Sequence, residues 1–427
     1  MRKYLIALFL CLTAWTGADA VTTIDECVAL ATENYPLVRK HDLLSATCAV
    51  ELSDINRGWL PRIGVYGQGT VQNAVPSFPE ALSGIMEQMG YGPRGLGKLQ
   101  YQAGIDISQT IWDGGTSRAR REAERARSEV QQRSLDVELY AVRQRVEDLY
   151  FAILLTEEQI AQSMNTIALL ESNLGRLRSM LANGTATQSD VDMVEAQTLQ
   201  TSQNITRARS AVSGYRRVLG LFTGKDLDDE KLAVPSADIP LATTSARPEI
   251  ELFRSREASS RAIERLGDTS LMPKISLFGK AYYGYPGYDY FKSMMNRDLS
   301  LNLMAGVKVS WQIDSFYTRA NTRRRTMIAD METDADRETF LFNSRMQTAS
   351  INETIDGLRE VIRNDARISE LRANVRKAAE SQLANGIIDT TALLSKITDE
   401  NNALLTARLH EIQLIQEIYR LKYNLNQ

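Results

Sequence analysis

The sequence predicts a mainly α-helical chain that carries a few β-strands long enough for a membrane, the whole built as a tandem duplication. Three observations lead there. The stretch LSLNLMAGVKVSWQI at 299–313 has Leu299, Leu301, Leu303, Ala305, Val307, Val309, Trp311 and Ile313 on alternate positions. The residues between are mostly polar or small, Met304 excepted, so one face of a strand is wholly apolar. The segment 116–182 has no proline, one glycine, and an apolar residue at every seventh position: Leu139, Val146, Ile153, Ile160, Ile167, Leu174 and Leu181. That is a coiled-coil seam. The third observation is repetition. The prolines fall in two clusters that leave two proline-free stretches of equal length, 94–234 and 287–427. LANG occurs at 181–184 and 383–386, and AGIDIS at 103–108 returns as AGVKVS at 305–310 with the same offset. LPRIGVYG at 60–67 resembles MPKISLFG at 272–279. The period is too long for a solenoid, so the expectation is one duplication, with repeats over 21–230 and 231–427.

The elements follow in order. Residues 1–20, MRKYLIALFLCLTAWTGADA, have a basic start at Arg2 and Lys3, a short apolar run and an A-x-A ending, the pattern of a secretory signal peptide cut after Ala20. The alternative, a membrane anchor, suits so short a run less well, and Cys11 sits inside the run rather than at a lipidation point. Beyond it no run of about 20 apolar residues is present, so no transmembrane helix is expected. A helix is predicted over 24–56 with a break at Asn34–Pro36, then strands near 61–73 and 98–112, with Asp113–Gly114–Gly115 turning strand into helix. The helix 116–182 ends at Asn183–Gly184, since glycine takes the left-handed conformation readily. Thr187 or Ser189 can cap a return helix over 188–222. The second repeat gives a helix at 248–267, strands at 273–285 and 299–313, a helix at 317–384, a stop at Asn385–Gly386, and a helix at 390–425. At 1.5 Å per residue the helix 116–182 spans about 100 Å and its return only about 50 Å. The uncovered half needs a further short helix, 24–56 or 248–267.

Function classes narrow by exclusion. The net charge of −3 gives no reason to expect nucleic acid, and His41 and His410 stand alone on helices, more in keeping with surface residues than with ligands. There is no nucleophile elbow, phosphate-binding glycine loop, CxxC pair or HExxH helix, so neither an enzyme nor a cofactor is expected. Cys27 and Cys48 would meet in a disulfide only if the chain folds back near Pro36, which the sequence leaves open.

The strands allow two readings. A small antiparallel sheet packed on a helix alternates as well as any other sheet, and would belong to a soluble periplasmic coiled-coil scaffold. Against this, ten to fourteen residues is about the length that crosses a bilayer when tilted, and the helices already have a seam of their own. In lipid an open sheet edge is excluded, so four strands per chain must be pooled by several subunits into one barrel. Ile105, Ile107, Leu301, Leu303, Val307 and Val309 would then face lipid, and 74–97 and 286–298 would be outer-surface loops.

ECVALATENYPLVRK, LPRIGVYGQG, ARPEIELFRSREAS followed by LMPKISLFG, QTIWDGGTSRAR, NGTATQSDVDMVEAQ and NGIIDTTALLSK, in this order and duplicated, resemble the TolC-type outer-membrane efflux and secretion channels over nearly all of 22–427. The resemblance implies a homotrimer with twelve strands in one outer-membrane barrel, continued by an α-helical periplasmic tunnel in a Gram-negative bacterium. It implies docking to a periplasmic adaptor and to an inner-membrane pump or ABC transporter, with small molecules or polypeptides as cargo. It also implies that acidic residues after the helix turns line a gated periplasmic entrance. Asp190 falls at such a position and Asp192 lies beside it; in the second repeat the matching residues are Ala392 and Ser395, with Asp389 close by. Ordinary helix capping and dipole compensation explain these carboxylates equally well. Asn183, Gly184, Thr185, Asn385, Gly386 and Ile387 become candidates for adaptor contact, besides ending their helices. RARREAERAR at 118–127 and RANTRRR at 319–325 would lie just beneath the membrane, where they either tune anionic cargo or form solvated helix faces.

Overall fold

A computed structural model describes residues 21–92, 95–237 and 246–426; the expected signal peptide lies outside them. The elements are α1 (Ile24–Asn34), α2 (Arg39–Arg57), β1 (Arg62–Val71), α3 (Glu80–Gln88), β2 (Leu99–Trp112), α4 (Thr116–Ala182), α5 (Gln188–Thr223), α6 (Pro248–Asp268), β3 (Lys274–Tyr285), α7 (Tyr290–Met295), β4 (Ser300–Ser310), α8 (Ser315–Ala384) and α9 (Thr390–Leu425). The break expected at Asn34–Pro36 is a single 3-10 turn at Pro36–Val38 between α1 and α2. The loop segments 74–97 and 286–298 depart from expectation, because each contains a short helix, α3 and α7. Their apolar residues are too few to show a period against the surrounding glycine and proline.

The chain divides into two compact units. One consists of 1–41, 134–251 and 337–427, and is helical throughout its described elements. Its main core joins Cys27 and Ala31 of α1, Val146, Tyr150 and Ile153 of α4, Leu219 of α5 and Ile412 and Tyr419 of α9. Tyr150 Oη reaches the carbonyls of Ala233 at 2.7 Å and Thr22 at 2.9 Å, so its hydroxyl is satisfied although the ring is fully buried. Here α5 runs antiparallel to the later part of α4, with Arg178 on Glu195 (3.3 Å) and Arg216 on Glu157 (2.6 Å). Likewise α9 returns along α8, with Arg372 on Asp399 (2.9 Å), His410 on Asp365 (2.8 Å) and Asn424 Nδ2 donating to Ser344 O (3.0 Å). His410 is therefore no lone surface residue: its partner Asp365 is buried. His41 likewise pairs with Asp136 at 3.0 Å.

The other unit, 42–133 and 252–336, holds the sheet and the short helices that run beside it. Within it α2 packs antiparallel to the start of α4, with Gln132 Nε2 donating to Ser45 Oγ (3.2 Å) and Arg121 to Asn56 (3.0 Å). In the same way α6 lies along the start of α8, through Arg256 and Asp336 (3.6 Å) and Arg319 and Asp268 (3.3 Å). These are the partners that the length argument required. The four strands form one antiparallel sheet in the order β1-β2-β3-β4, so each strand is paired with its neighbour in sequence and β1 and β4 are the edges. Both cysteines of the described chain are free, Cys27 buried and Cys48 half-buried, which closes the question of a bridge between them.

Candidate functional site: the two faces of the sheet and the helix turns

The register decides what the sheet presents. Val65 pairs with Ile105, Ile105 with Ala281, and Ala281 with Leu303; one step on, Ile63 pairs with Ile107, Ile107 with Gly279, and Gly279 with Ala305. The alternation is therefore in phase from strand to strand up to a register shift between Thr110 and Trp112, which gives one broad apolar face interrupted by Gln109. That face is bare. Ile105 and Ile107 are 43% and 44% exposed, Leu301 68%, Leu303 71%, Val307 64% and Val309 66%. Aromatic residues sit toward both ends of it, Tyr101 and Tyr283 at one and Trp112 and Trp311 at the other, all exposed. Sequence reasoning passed over these bands: Tyr101, Tyr283 and Trp311 stand on the alternating positions, but Trp112 joins them only through a register shift between Thr110 and Trp112. Trp311 is held by its indole N–H, which donates to Leu271 O at 3.0 Å.

The opposite face is mostly polar. Phe278 and Tyr282, which break the alternation in sequence, are buried or half-buried there. Gly306 lies under the Phe278 ring, where a Cβ would come within 2.9 Å of it. Tyr282 meets the Tyr288 ring edge-on at 5.2 Å and donates to Pro286 O at 3.0 Å. Asn302 Oδ1 accepts from Tyr288 N–H at 2.7 Å. The β3–β4 connection is thus folded onto the polar side of the sheet. The β1–β2 connection joins it: Gly97 N–H donates to Tyr285 Oη at 2.6 Å, and Leu96, Tyr285 and Met294 form a small core. Deeper on this face lies a cavity of about 920 Å³, lined by Arg62, Asp106, Lys280 and Lys308 from the strands and by Arg120 from α4. Asp113, at the exit of β2, accepts from Gly115 N–H (2.9 Å) and Ser117 N–H (2.6 Å) and so starts α4, as its sequence context predicts. Of the basic runs, Arg118 pairs with Glu122 (3.2 Å) and Arg323 with Glu264 (3.7 Å), as solvated faces do.

The two helix turns belong to the helical unit and are built alike. Gly184 (φ 73°) donates to Leu181 O at 3.0 Å and Thr185 to Met180 O at 2.9 Å; Gly386 (φ 69°) and Ile387 repeat this on Leu383 and Gln382, each at 2.9 Å. This double bond closes the last carbonyls of a helix, and needs a left-handed residue. Asn183 and Asn385 each donate from their backbone N–H at 3.2 Å, to Ser179 O and Ser381 O, and Ile387 is exposed. The capping residue of α5 is Thr187, not Ser189. Asp190 completes a capping box by accepting from Thr187 N–H at 2.9 Å and Thr187 Oγ1–H at 2.6 Å. The hydrogen bonds from Thr187, with a further one from Thr390, hold its carboxyl below the usual carboxylate range. Asp389 is the N-cap of α9, accepting from Ala392 N–H at 2.7 Å, and Asp192 accepts from Gln188 Nε2 at 2.7 Å. The turns adjoin: Leu174, Leu177, Val191 and Val194 of the first hairpin share a core with Ala379, Leu393 and Ile397 of the second. The structure brings Asp190 to Thr390 at the start of α9, and leaves Asp192 and Asp389 exposed on their own first turns.

Comparison with known proteins agrees with this arrangement. The chain is similar in fold to the CmeC outer membrane channel of Campylobacter jejuni (14% identity, 94% of this chain and 85% of that one, TM-score 0.66). It is similar also to the outer membrane protein VceC of Vibrio cholerae (11%, 94% of each chain, 0.65). The open state of the MtrE outer membrane channel of Neisseria gonorrhoeae gives 13% identity, 94% and 88% coverage, and 0.65. No curated protein sequence matches significantly. The outer membrane efflux protein family is matched by its sequence model over residues 37–220, from the turn before α2 through both strands of the first hairpin and the first helix turn into α5. In sequence, therefore, the part of the chain over 37–220 resembles the outer membrane efflux protein family, and in fold nearly the whole chain is similar to outer-membrane channels.

Proposed function

We propose that the protein is the outer-membrane channel of an efflux system, a passive conduit whose strands join those of identical copies in one barrel. The observation that carries this is the bare apolar face. A soluble scaffold would cover such a face with its own helices, because contiguous exposed apolar patches are small on soluble proteins. Here α4, α5, α8 and α9 find their partners in one another, and the sheet keeps Leu301, Leu303, Val307 and Val309 outward. The 14 residues of β2 rise about 47 Å along the strand and about 33 Å across a membrane at 45° tilt, enough for the hydrocarbon layer. Aromatic bands at both ends of an apolar strip are what a barrel places at the two interfaces.

Two edges, β1 and β4, remain unpaired in one chain. In lipid those ladders need partners, and β4 of one copy meeting β1 of the next supplies them. The family resemblance supports three copies and twelve strands. It likewise supports an adaptor at the turns Asn183–Thr185 and Asn385–Ile387, an inner-membrane pump as the source of energy, and Asp190, Asp192 and Asp389 about the periplasmic entrance. The test is extraction and imaging of the full chain. We expect it to need detergent, and negative-stain electron microscopy to show threefold particles. A monomer or dimer soluble in buffer would remove the barrel and the export function with it.

A further inference from the structure

We propose that the polar face of the sheet is a basic sleeve that favours anions, and that the cargo it suits best is small organic anions carrying carboxylate or sulfonate groups. The inference rests on the channel reading, which makes this face the wall of the lumen. By register the face holds four cations, Arg62, Lys274, Lys280 and Lys308, and one carboxylate, Asp106. Asp106 stands directly across from Lys280, so the two offset each other locally. The remaining three are exposed on that face and, among the described residues, have no carboxylate within 4.0 Å.

The sleeve is also built to keep its charge. The Lys280 ammonium lies 4.7 Å from the Tyr66 ring centre and 5.7 Å from that of Tyr282, which holds it on the face by cation–π attraction. Arg120 lines the same cavity, and of the two carboxylates there besides Asp106, Asp113 is committed to the backbone of α4 and Asp54 lies 3.9 Å from Arg57. Anions are thus paired or occupied, and cations are left over. A cleft of one sign with low-dielectric walls concentrates the opposite ion, and rings of Lys and Arg are how pores select anions. Pooling several copies around one lumen multiplies the excess. The acidic helix turns belong to a different part of the chain, so the two can be varied separately.

The experiment is zero-current potential in planar bilayers of the full chain under a potassium chloride gradient. Removing the charge in Arg62→Gln/Lys274→Gln/Lys308→Gln should lower chloride permeability relative to potassium by about threefold or more. Lys308→Glu should lower it further than Lys308→Gln, and Lys308→Arg should leave it unchanged. Naphthalene trisulfonate added to the bath should block wild type and lose most of its block in the triple variant. Pores that form normally in the triple variant with the wild-type permeability ratio would overturn the sleeve. Wild-type protein that makes no pores at all would instead overturn the channel reading beneath it.

Discussion

Two acidic residues show how differently one side-chain type is used. Asp190 lies at a helix start, where hydrogen bonds from Thr187 stabilise its ionised form. Because its carboxyl is held below its ordinary value, the capping contribution is fully present at neutral pH and is lost as the pH falls through the acidic range. Thr187→Ala should cost about 1 kcal/mol of local stability, read as faster proteolysis at the turn, with little change in ion selectivity. Asp190→Asn keeps an acceptor for Thr187 but removes the charge, so its expected effect is a higher chloride permeability relative to potassium in bilayer recordings. An unchanged ratio would reduce Asp190 to a cap. Glu147 is the opposite case. Burial pushes its carboxyl up to about 7, even with Arg143 Nε donating to it at 2.8 Å. A raised carboxyl is stable below its unfolded value and progressively less so as pH rises through 7. Glu147→Gln should therefore stabilise the protein at pH 8 by about 2 kcal/mol and much less at pH 5, which a comparison of thermal midpoints would reveal. Cys27, buried and with its thiol pushed up to about 11 chiefly by desolvation, should resist maleimide in the native protein while Cys48 reacts.

Among the elements, the strands are the most constrained. Up to the register shift between Thr110 and Trp112, each of β1 to β4 has one mostly apolar face and one mostly polar face in phase with its neighbours, so a change on the two faces should have unlike consequences. Leu303→Arg places a charge on the apolar face, at an expected cost of about 2–4 kcal/mol near the bilayer midplane. Lys308→Gln on the other face should insert and assemble normally. Equal assembly yields of the two variants, measured as detergent-extracted oligomer, would contradict the assignment of the faces. Val307→Pro removes a ladder hydrogen bond and should abolish assembly. The long helices tolerate more, because their stability is spread along the seam and through repeated ion pairs such as Arg372 with Asp399.

On the scale of the whole molecule, the order of elements repeats: helix, strand, short helix, strand, long helix, return helix. A hairpin from each half supplies two strands of a single sheet, in which β2 and β3 are the joint between the halves. Neither half would satisfy its strands alone. The duplication also leaves differences that bear on function. The first repeat caps its return helix with Thr187 and Asp190, the second with Asp389 alone. Any ring of charge at the helix turns is therefore uneven between repeats, whatever the number of subunits.

Sequence alone determined the long helices, their stops and the four strands, because those rest on local rules: a heptad seam, a glycine with positive φ, and strict alternation. The ranges 116–182 and 390–425 coincide with α4 and α9 since proline-free periodic runs leave little choice. It also nominated the lipid-side residues, as alternation names a face directly. Tertiary structure decided whether that face is covered, since the positions of the helices relative to the strands depend on contacts distant in sequence. It revealed α3 and α7, the pairing of His410 with Asp365, and the fold of the β3–β4 connection onto Tyr282 and Asn302. The surplus of cations on the polar face is likewise a property of register: Arg62, Lys274 and Lys308 are scattered in sequence, and only the pairing of four strands sets them on one wall.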